Sequence, residues 1–479
     1  MADSGIERGA FFIFLANAIF FFSGYAIYFG LGRVLGPKEF GVYGVIISLA
    51  SLVSGVIMAG FQQAVSKFSS ERPEESEQVK GTALRLQLFV SVAVFISYFL
   101  LSPFIALLFN DPSLTGLIRL SSFIILFHPM FSIFTGELNG LKRFARQARL
   151  LASYSIAKVF FILLFALIGY GVFGAVFGFI LSSFFGLVLG FALTGFSLGA
   201  KGFSGRKLAS FALPVIGFAF VSNTLLNFDL FAVKALSPAS VSSSLAGFYT
   251  AAGTIAKLPL GFIDALLLVL FPLVSSSSFA NDHKKSGFYL SSALRYAFLF
   301  LAPLTAITAT SAASILAFIY GANYLPGAFA LSILSVGALL MAMAMVVVTA
   351  ISSSNRPKAS FGMGFFVMAL DIALNFILIP IYSLEGAAAA TLISGIAALS
   401  ISLAYSRGLF SELHLGIGSF LKIFFASLAI AVLSLLFQAE GIVLVLKYCS
   451  LFLVYAGILW LLREISDQDF NILKRMAGR

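Results

Sequence analysis

Charge is what this sequence has least of. Asp, Glu, Lys and Arg make up 10% of its 479 residues, where a soluble domain uses roughly 25% to wet its surface. A chain this long could bury a sizeable core, but it has too few polar residues to cover one in water. Cysteine is nearly absent too: Cys449 stands alone in an apolar segment, which excludes an internal disulfide and reads as a small buried side chain. Histidine is scarce, and His128, His283 and His414 fall in three unrelated segments without the spacing of a zinc site. The dipeptide Gly-Lys never occurs, so there is no phosphate-cradling GxxxxGK[ST] loop for an ATP-driven pump. No hydrophilic connection exceeds about twenty residues, which leaves no room for a soluble catalytic domain.

What remains is apolar length. Hydrophobic residues make up 60% of the chain, and mean hydropathy is +1.05. Runs of about twenty such residues recur from end to end, each able to cross a hydrocarbon slab of roughly 30 Å. Lipid cannot satisfy open backbone groups, so each run must be a helix. The fold class is therefore an all-α polytopic membrane protein. Turn signals and charges divide it into fourteen spans near 11–34, 40–66, 83–109, 117–138, 150–170, 172–195, 209–236, 246–274, 290–318, 328–352, 360–382, 386–406, 419–437 and 442–462. The polar start "MADSGIERGA" and the long run after it do not fit a cleaved signal peptide.

With the N-terminus inside, the basic stretches "LKRFARQAR", "KGFSGRK", "DHKK", "NRPK" and the tail "REISDQDFNILKRMAGR" all fall on one face, and the opposite connections are nearly free of cations. The positive-inside rule then places both termini in the cytoplasm of a cell membrane. The formal charge of +11 is a topology signal toward anionic lipid, and nucleic acid is not an expected partner.

A second pattern is internal. Arg33-Val-Leu-Gly-Pro37 is echoed by Lys234-Ala-Leu-Ser-Pro238, and Gly41-Val-Tyr43 by Gly247-Phe-Tyr249 after a short insertion. Ala83-Leu-Arg85 returns as Ala293-Leu-Arg295, Arg143 as Arg356, and Gly174-Ala175 as Gly386-Ala387. The common order and slowly drifting offset indicate two six-helix lobes with the same membrane orientation, which are parallel repeats. The expected division is 1–208 for spans 1–6, 209–406 for spans 7–12, and 407–479 for two further helices and a cytoplasmic tail. Two such lobes are the frame of an alternating-access transporter. A membrane-embedded glycan polymerase would want carboxylates on a substantial outer loop, whereas Glu39, Asp111, Glu385 and Glu440 are scattered over separate short turns.

Ionisable and amide groups inside such spans mark candidate sites, because each is costly in lipid unless it pairs or faces water. Lys158 lies about two turns into span five. Lys257 lies near the middle of span eight, with Asp264 seven residues on along the same helical face. Asn223, Asn227 and Lys234 fall within about 40° of one another on span seven, with Asp229 pointing elsewhere. Asp371 and Asn375 lie one turn apart on span eleven, and the repeat pairs Asp371 with Lys158. Arg33, Lys158, Lys234 and Lys257 read as a ladder of cations for a phosphate headgroup, with Asn223 and Asn227 as polar contacts. Asp264, Asp371 and Asp229 read as ion-coupling carboxylates. Glu137, closing span four, reads as a partner of Lys142 or Arg143, and His128 before Pro129 suggests a kink.

The stretches "GRVLGPKEFGVYGVIISLASLVSG", "LNGLKRFARQA" and "NFDLFAVKAL…AGFYTAAGTIAKLP" resemble the polysaccharide transport family of the multidrug/oligosaccharidyl-lipid/polysaccharide exporter superfamily, the family of the O-antigen flippases. Arg33, Gly36, Gly41 and Tyr43 match its first hairpin, and Asp229, Gly247, Tyr249 and Pro259 its seventh and eighth spans. Leu230 stands where that family often has a basic residue. The resemblance implies a non-enzymatic, monomeric flippase for a lipid-linked oligosaccharide, without cofactor or metal, driven by a proton or sodium gradient. The multidrug exporters and lipid II flippases of the superfamily are the alternatives. The exporters commonly carry an acidic residue in the first helix, and here the polar residue there is Asn17.

Overall fold

The computed structural model describes residues 3–196, 202–410, 416–437 and 439–464. His414, Lys201 at the start of "KGFSGRK", and the tail beyond Glu464 lie outside them. All regular structure in the described residues is helical. Eleven helical stretches are long and apolar enough to cross a membrane. Three of them contain a break that divides them in two, so the described residues hold fourteen membrane-length passes.

Helix α1 (Asp3–Glu71) carries spans one and two, joined at Gly36 with φ 70° and ψ 172°. That conformation suits a residue without Cβ, and Pro37 restarts the helix where its missing N–H costs nothing. Helices α2 (Ser76–Leu108), α3 (Thr115–Gly140), α4 (Phe144–Phe165) and α5 (Gly171–Thr194) follow, and α3 runs on through Pro129. Helix α6 (Gly205–Leu236) is the seventh pass.

The eighth departs from expectation. Instead of one span over 246–274, the chain forms α7 (Ala239–Lys257) and α8 (Leu260–Phe279), broken at Leu258-Pro259. Pro259 has no N–H to donate and its ring crowds the preceding turn. Lys257 and Asp264 therefore do not share one helical face, because no continuous helix connects them.

Helices α9 (His283–Thr310), the short α10 (Ala312–Ile319), α11 (Ala328–Ser353) and α12 (Pro357–Leu409) continue the chain, with α12 broken at Ser383. The helix expected over 290–318 stops at Thr310, where the Ser311 hydroxyl pairs with that of Ser434 at 2.8 Å. Helices α13 (Ile417–Leu436) and α14 (Val443–Leu461) close the chain. Cys449 on α14 is exposed, contrary to the buried reading; an apolar side chain facing lipid has no need of burial in protein.

The chain divides into two compact units, Met1–Thr250 and Ala251–Arg479. In the first, Phe61, Val65, Phe131, Phe134 and Tyr154 anchor a core shared by α1 to α6. In the second, Leu294, Val346 and Ile351 pack α9 on α11, and Ile423 with Tyr455 attaches α13 and α14 to α9.

Local geometry repeats along the chain as the sequence does. Gly171 (φ 51°, ψ −132°) between spans five and six is matched by Ser383 (φ 50°, ψ −119°) between eleven and twelve. Lys142 and Asn355 take positive φ, 55° and 60°, at corresponding links. The Ser69–Ser76 hydroxyl pair before span three is matched by Ser277–Ser286 before span nine.

Candidate functional site

The echoed phrase comes together in space. Half of α1 runs against α7 so closely that a Cβ on Gly41 would lie 1.8 Å from the Ser243 carbonyl oxygen, and one on Gly247 would lie 1.9 Å from that of Pro37. Gly41 and Gly247 are equivalent in the repeat, and Pro37 and Ser243 each stand four residues before them. The contact is thus self-complementary, as across a two-fold axis. One turn on, Gly44 faces its own equivalent, Thr250. Only glycine permits that approach, since the obstacle is backbone.

Beside this contact Lys234 is fully buried. Its ammonium has three donors and three acceptors: Asp111 Oδ2 at 2.8 Å, Ser243 Oγ at 2.8 Å and Ser242 Oγ at 3.1 Å. Asn110 adds a bond from Nδ2 to the Ala235 carbonyl at 2.8 Å, so the α2–α3 link is tied to the end of α6. Burial pushes the Asp111 carboxyl upward, but hydrogen bonds from Lys234 and Ser113 and the Lys234 charge outweigh it and hold the group below its ordinary value.

Deeper along α6, the Tyr249 hydroxyl donates to Asp229 Oδ2 at 2.8 Å, both residues being buried. Asn227 and Asn223 each give their amide to the carbonyl one turn back on their own helix, and Asn223 Oδ1 lies beside Gly55 of α1. At the other end of α1, a Cβ on Gly60 would meet the Ala212 carbonyl oxygen at 2.7 Å and Ile216 at 2.6 Å. Helix α1 is thus closed against α6 and α7 at both ends, with the amide stripe between.

Lys158 sits apart from this cluster, on α4, with Nζ 4.0 Å above the centre of the Phe179 ring. His128 stacks on Tyr154 and Phe131 and meets Phe179 edge-on. An ammonium over an aromatic face is a favourable resting place in a weakly polar site. Arg33 is exposed at the end of the first pass. Lys257 and Asp264 are exposed in the second unit, on either side of the Pro259 break. Asp371 and Asn375 are buried there, with Asn375 Nδ2 donating to the Asp371 carbonyl at 2.9 Å and to Oδ2 at 3.2 Å.

The structure therefore places Asn223, Asn227, Asp229 and Lys234 along α6, with Asn223 beside α1, Asp229 bonded to Tyr249 of α7, and Lys234 to Asp111, Ser242 and Ser243. It leaves Lys158 in the α3–α4–α5 bundle. Glu137 pairs not with Lys142 or Arg143 but with Lys80 at 3.1 Å, in a buried site where Lys80 also donates to the Thr194 carbonyl at 2.7 Å. Lys142 and Arg143 are on the exposed link, whereas Lys80 enters from α2, a partner that local spacing cannot reveal. Asp111, the partner of Lys234, is signalled in the sequence only by the turn "NDPS" between α2 and α3. Tyr249 as partner of Asp229 was in the echoed motif itself.

Comparison with known proteins gives a consistent picture. No curated protein sequence matches the chain significantly. Among solved structures the fold resembles lipid II flippase MurJ in an inward closed conformation, with 20% identity over 95% of this chain and 98% of that one, at TM-score 0.76. It also resembles an inward-facing multidrug resistance MATE family transporter of the MOP superfamily, with 15% identity over 80% and 94%, at TM-score 0.69. A MOP superfamily transporter from Pyrococcus furiosus matches with 16% identity over 85% and 96%, at TM-score 0.60. The sequence profile of one family, described as polysaccharide biosynthesis protein, matches residues 31–329, more than half of the chain and including both echoed hairpins. The chain belongs to the polysaccharide biosynthesis protein family and has the all-helical fold of the MOP-superfamily transporters.

Proposed function

We propose that this protein is a flippase that carries a lipid-linked oligosaccharide, on a polyprenyl phosphate or pyrophosphate, from the inner to the outer leaflet of the cell membrane. The lobes would be residues 1–208 and 209–406, with 407–479 beside them and both termini cytoplasmic. The observation that carries the reading is the contact of Gly41 with Ser243 and of Gly247 with Pro37, together with the Lys234–Asp111 ion pair. Under that division each joins one lobe to the other, and each must separate when the cleft opens outward. A two-fold contact between glycines has little side chain to disentangle, so it can open and reseal.

In this scheme the closed ends at Gly41/Gly247 and at Gly60/Ala212 are gates, with Asn223 and Asn227 between them. Opening the outer gate frees Lys234 from Asp111 and gives a phosphate a cation to approach, together with Arg33. Lys158 and Lys257 serve at other depths. Weak successive cation sites suit a headgroup that has to leave as well as bind. Asp371 with Asn375, and Asp229 with Tyr249, offer buried oxygen sets for a proton or sodium ion; Asp264 is a third carboxylate on the exposed side of α8. Binding a cation at such a carboxylate in one state only shifts the balance between states.

The likeness to MurJ over nearly the whole chain favours lipid II as a second substrate reading, and the MATE likeness a drug. Purified protein in proteoliposomes, given a polyprenyl-pyrophosphate oligosaccharide, lipid II or a cationic drug under an imposed proton or sodium gradient, decides among them. Flipping of the oligosaccharide lipid alone, or in preference, is the expected result; transport of the drug alone would overturn the reading.

A further inference from the structure

A cavity of about 410 Å³ opens at the end of the first unit where α1 begins and α4 starts. Its walls carry Lys142, Arg143, Arg146 and Arg149, with Phe12 and Phe144 as the apolar side. It exists because Gly9 lets α1 lie directly on Phe144: a Cβ there would come 2.9 Å from the ring. All four cations are exposed, and none of them is in a salt bridge among the residues whose side chains are described, which begin at Gly9 and leave out Ala10. The first turn of α4 has no side-chain cap, so its N–H groups add to the positive field. From the cavity wall at Phe12 (41% exposed) the same side of α1 continues with Leu15 and Phe22 exposed, 46% and 67%, an apolar rail leading into the membrane.

We infer that this cavity binds the phosphate headgroup of a membrane lipid, with the lipid chain lying along the exposed apolar side chains of α1. A free anion would use the cations and ignore the rail, and an apolar ligand the reverse; both together fit a phosphate attached to a hydrocarbon chain. Arginine is suited to the head because its guanidinium grips phosphate oxygens in pairs. The charge bias places this end at the cytoplasmic leaflet, where anionic lipid lies. Two sources share that chemistry, a phosphodiester lipid of the bilayer and the pyrophosphate lipid of the proposed cargo. Only the second rests on the flippase reading.

Native mass spectrometry of the detergent-purified full chain tests this with three probes: phosphatidylglycerol, undecaprenyl pyrophosphate and inorganic phosphate. Arg143→Gln/Arg146→Gln/Arg149→Gln removes three exposed cations from the cavity. Lys284→Gln/Lys285→Gln/Lys358→Gln removes three exposed ones from connections assigned to the same face. The cavity variant is expected to lose lipid binding at least about tenfold, and the second variant to bind as the parent does. Gly9→Val, which changes no charge but pushes on Phe144, is expected to weaken binding too. Tighter retention of undecaprenyl pyrophosphate makes the cavity a loading site for cargo, and equal retention of phosphatidylglycerol makes it a site for bilayer lipid. Equal loss in both triple variants, or displacement of either lipid by inorganic phosphate at like concentration, would overturn the inference. Transport is not read here, so failure of the flippase proposal and failure of this one are separable.

Discussion

The two hairpins built from the same ancestral phrase have diverged in chemistry while keeping their contact. In the first, Tyr28 and Tyr43 pack ring to ring with centroids 6.0 Å apart; in the second, the equivalent of Tyr28 is Asp229, and the equivalent of Tyr43, Tyr249, hydrogen-bonds to it. Arg33 is exposed in the first, while its counterpart Lys234 is buried in a cage of one carboxylate and two hydroxyls. The serines of that cage, Ser242 and Ser243, stand within or beside the five-residue insertion that the first hairpin lacks. Duplication gave a symmetric scaffold; the insertion and the Tyr-to-Asp difference placed the ionisable chemistry on one side of it. On the proposed flippase reading, such asymmetry lets one hairpin stay rigid while the other takes up a cation.

The largest expected effect tests the symmetry. Gly41→Ala and Gly247→Ala each drive a methyl into a carbonyl oxygen, and each should lower flipping by at least about tenfold, as overpacking of a backbone contact costs about 1–3 kcal/mol or more. Flipping assays on both variants decide it. A defect in one and none in the other would break the equivalence of the two hairpins.

Next comes the ion pair. Lys234→Met leaves Asp111 with its Ser113 bond and partial access to solvent, so the cost should fall at or below the low end of the ~3–5 kcal/mol seen when a buried pair loses one partner. Arg33→Met should cost less than about 1 kcal/mol, as exposed charges do. Unfolding in detergent measures both. Comparable losses at the two positions would mean that burial of Lys234 does not set its role apart. Adding Asp111→Asn to Lys234→Met should recover part of the loss.

A smaller effect is expected from tyrosine. Tyr249→Phe removes a hydrogen bond to a carboxylate, about 1.5–3 kcal/mol in gross terms, and should alter the gradient dependence of flipping; Tyr43→Phe should leave that dependence unchanged. Flipping rate against imposed proton and sodium gradients separates them.

The smallest effect is on pH. Asp111 is held below its ordinary value of 3.8, so its ionised form stabilises the closed contact above that value and the contribution fades as pH falls through the depressed one. Cross-linking between cysteines placed at the α2–α3 link and the end of α6 should therefore weaken only in strong acid, and Asp111→Asn should abolish that acid limb.

Much of the fold was legible because lipid imposes it. A hydropathy run of about twenty residues must be helical, and so the passes, the break between spans one and two and the repeat could be read in one dimension. The breaks were harder. Pro259 stands in an apolar run, and only the local loss of an N–H divided α7 from α8. Candidate site residues were recognisable as polar groups in apolar company, which is how Lys234, Asp229 and Asp371 were found. Their partners were not, because Asp111 is 123 residues from Lys234 and nothing in local spacing joins them.

The sequence by itself determined class, passes, charge bias and duplication, since each is a property of composition or periodicity along the chain. Tertiary structure alone decided that the duplicated glycines meet each other, that Lys234 is enclosed by Asp111, and that Glu137 belongs to Lys80. Those outcomes depend on which helix faces are pressed together, and a buried charge takes whatever opposite charge the packing brings within reach.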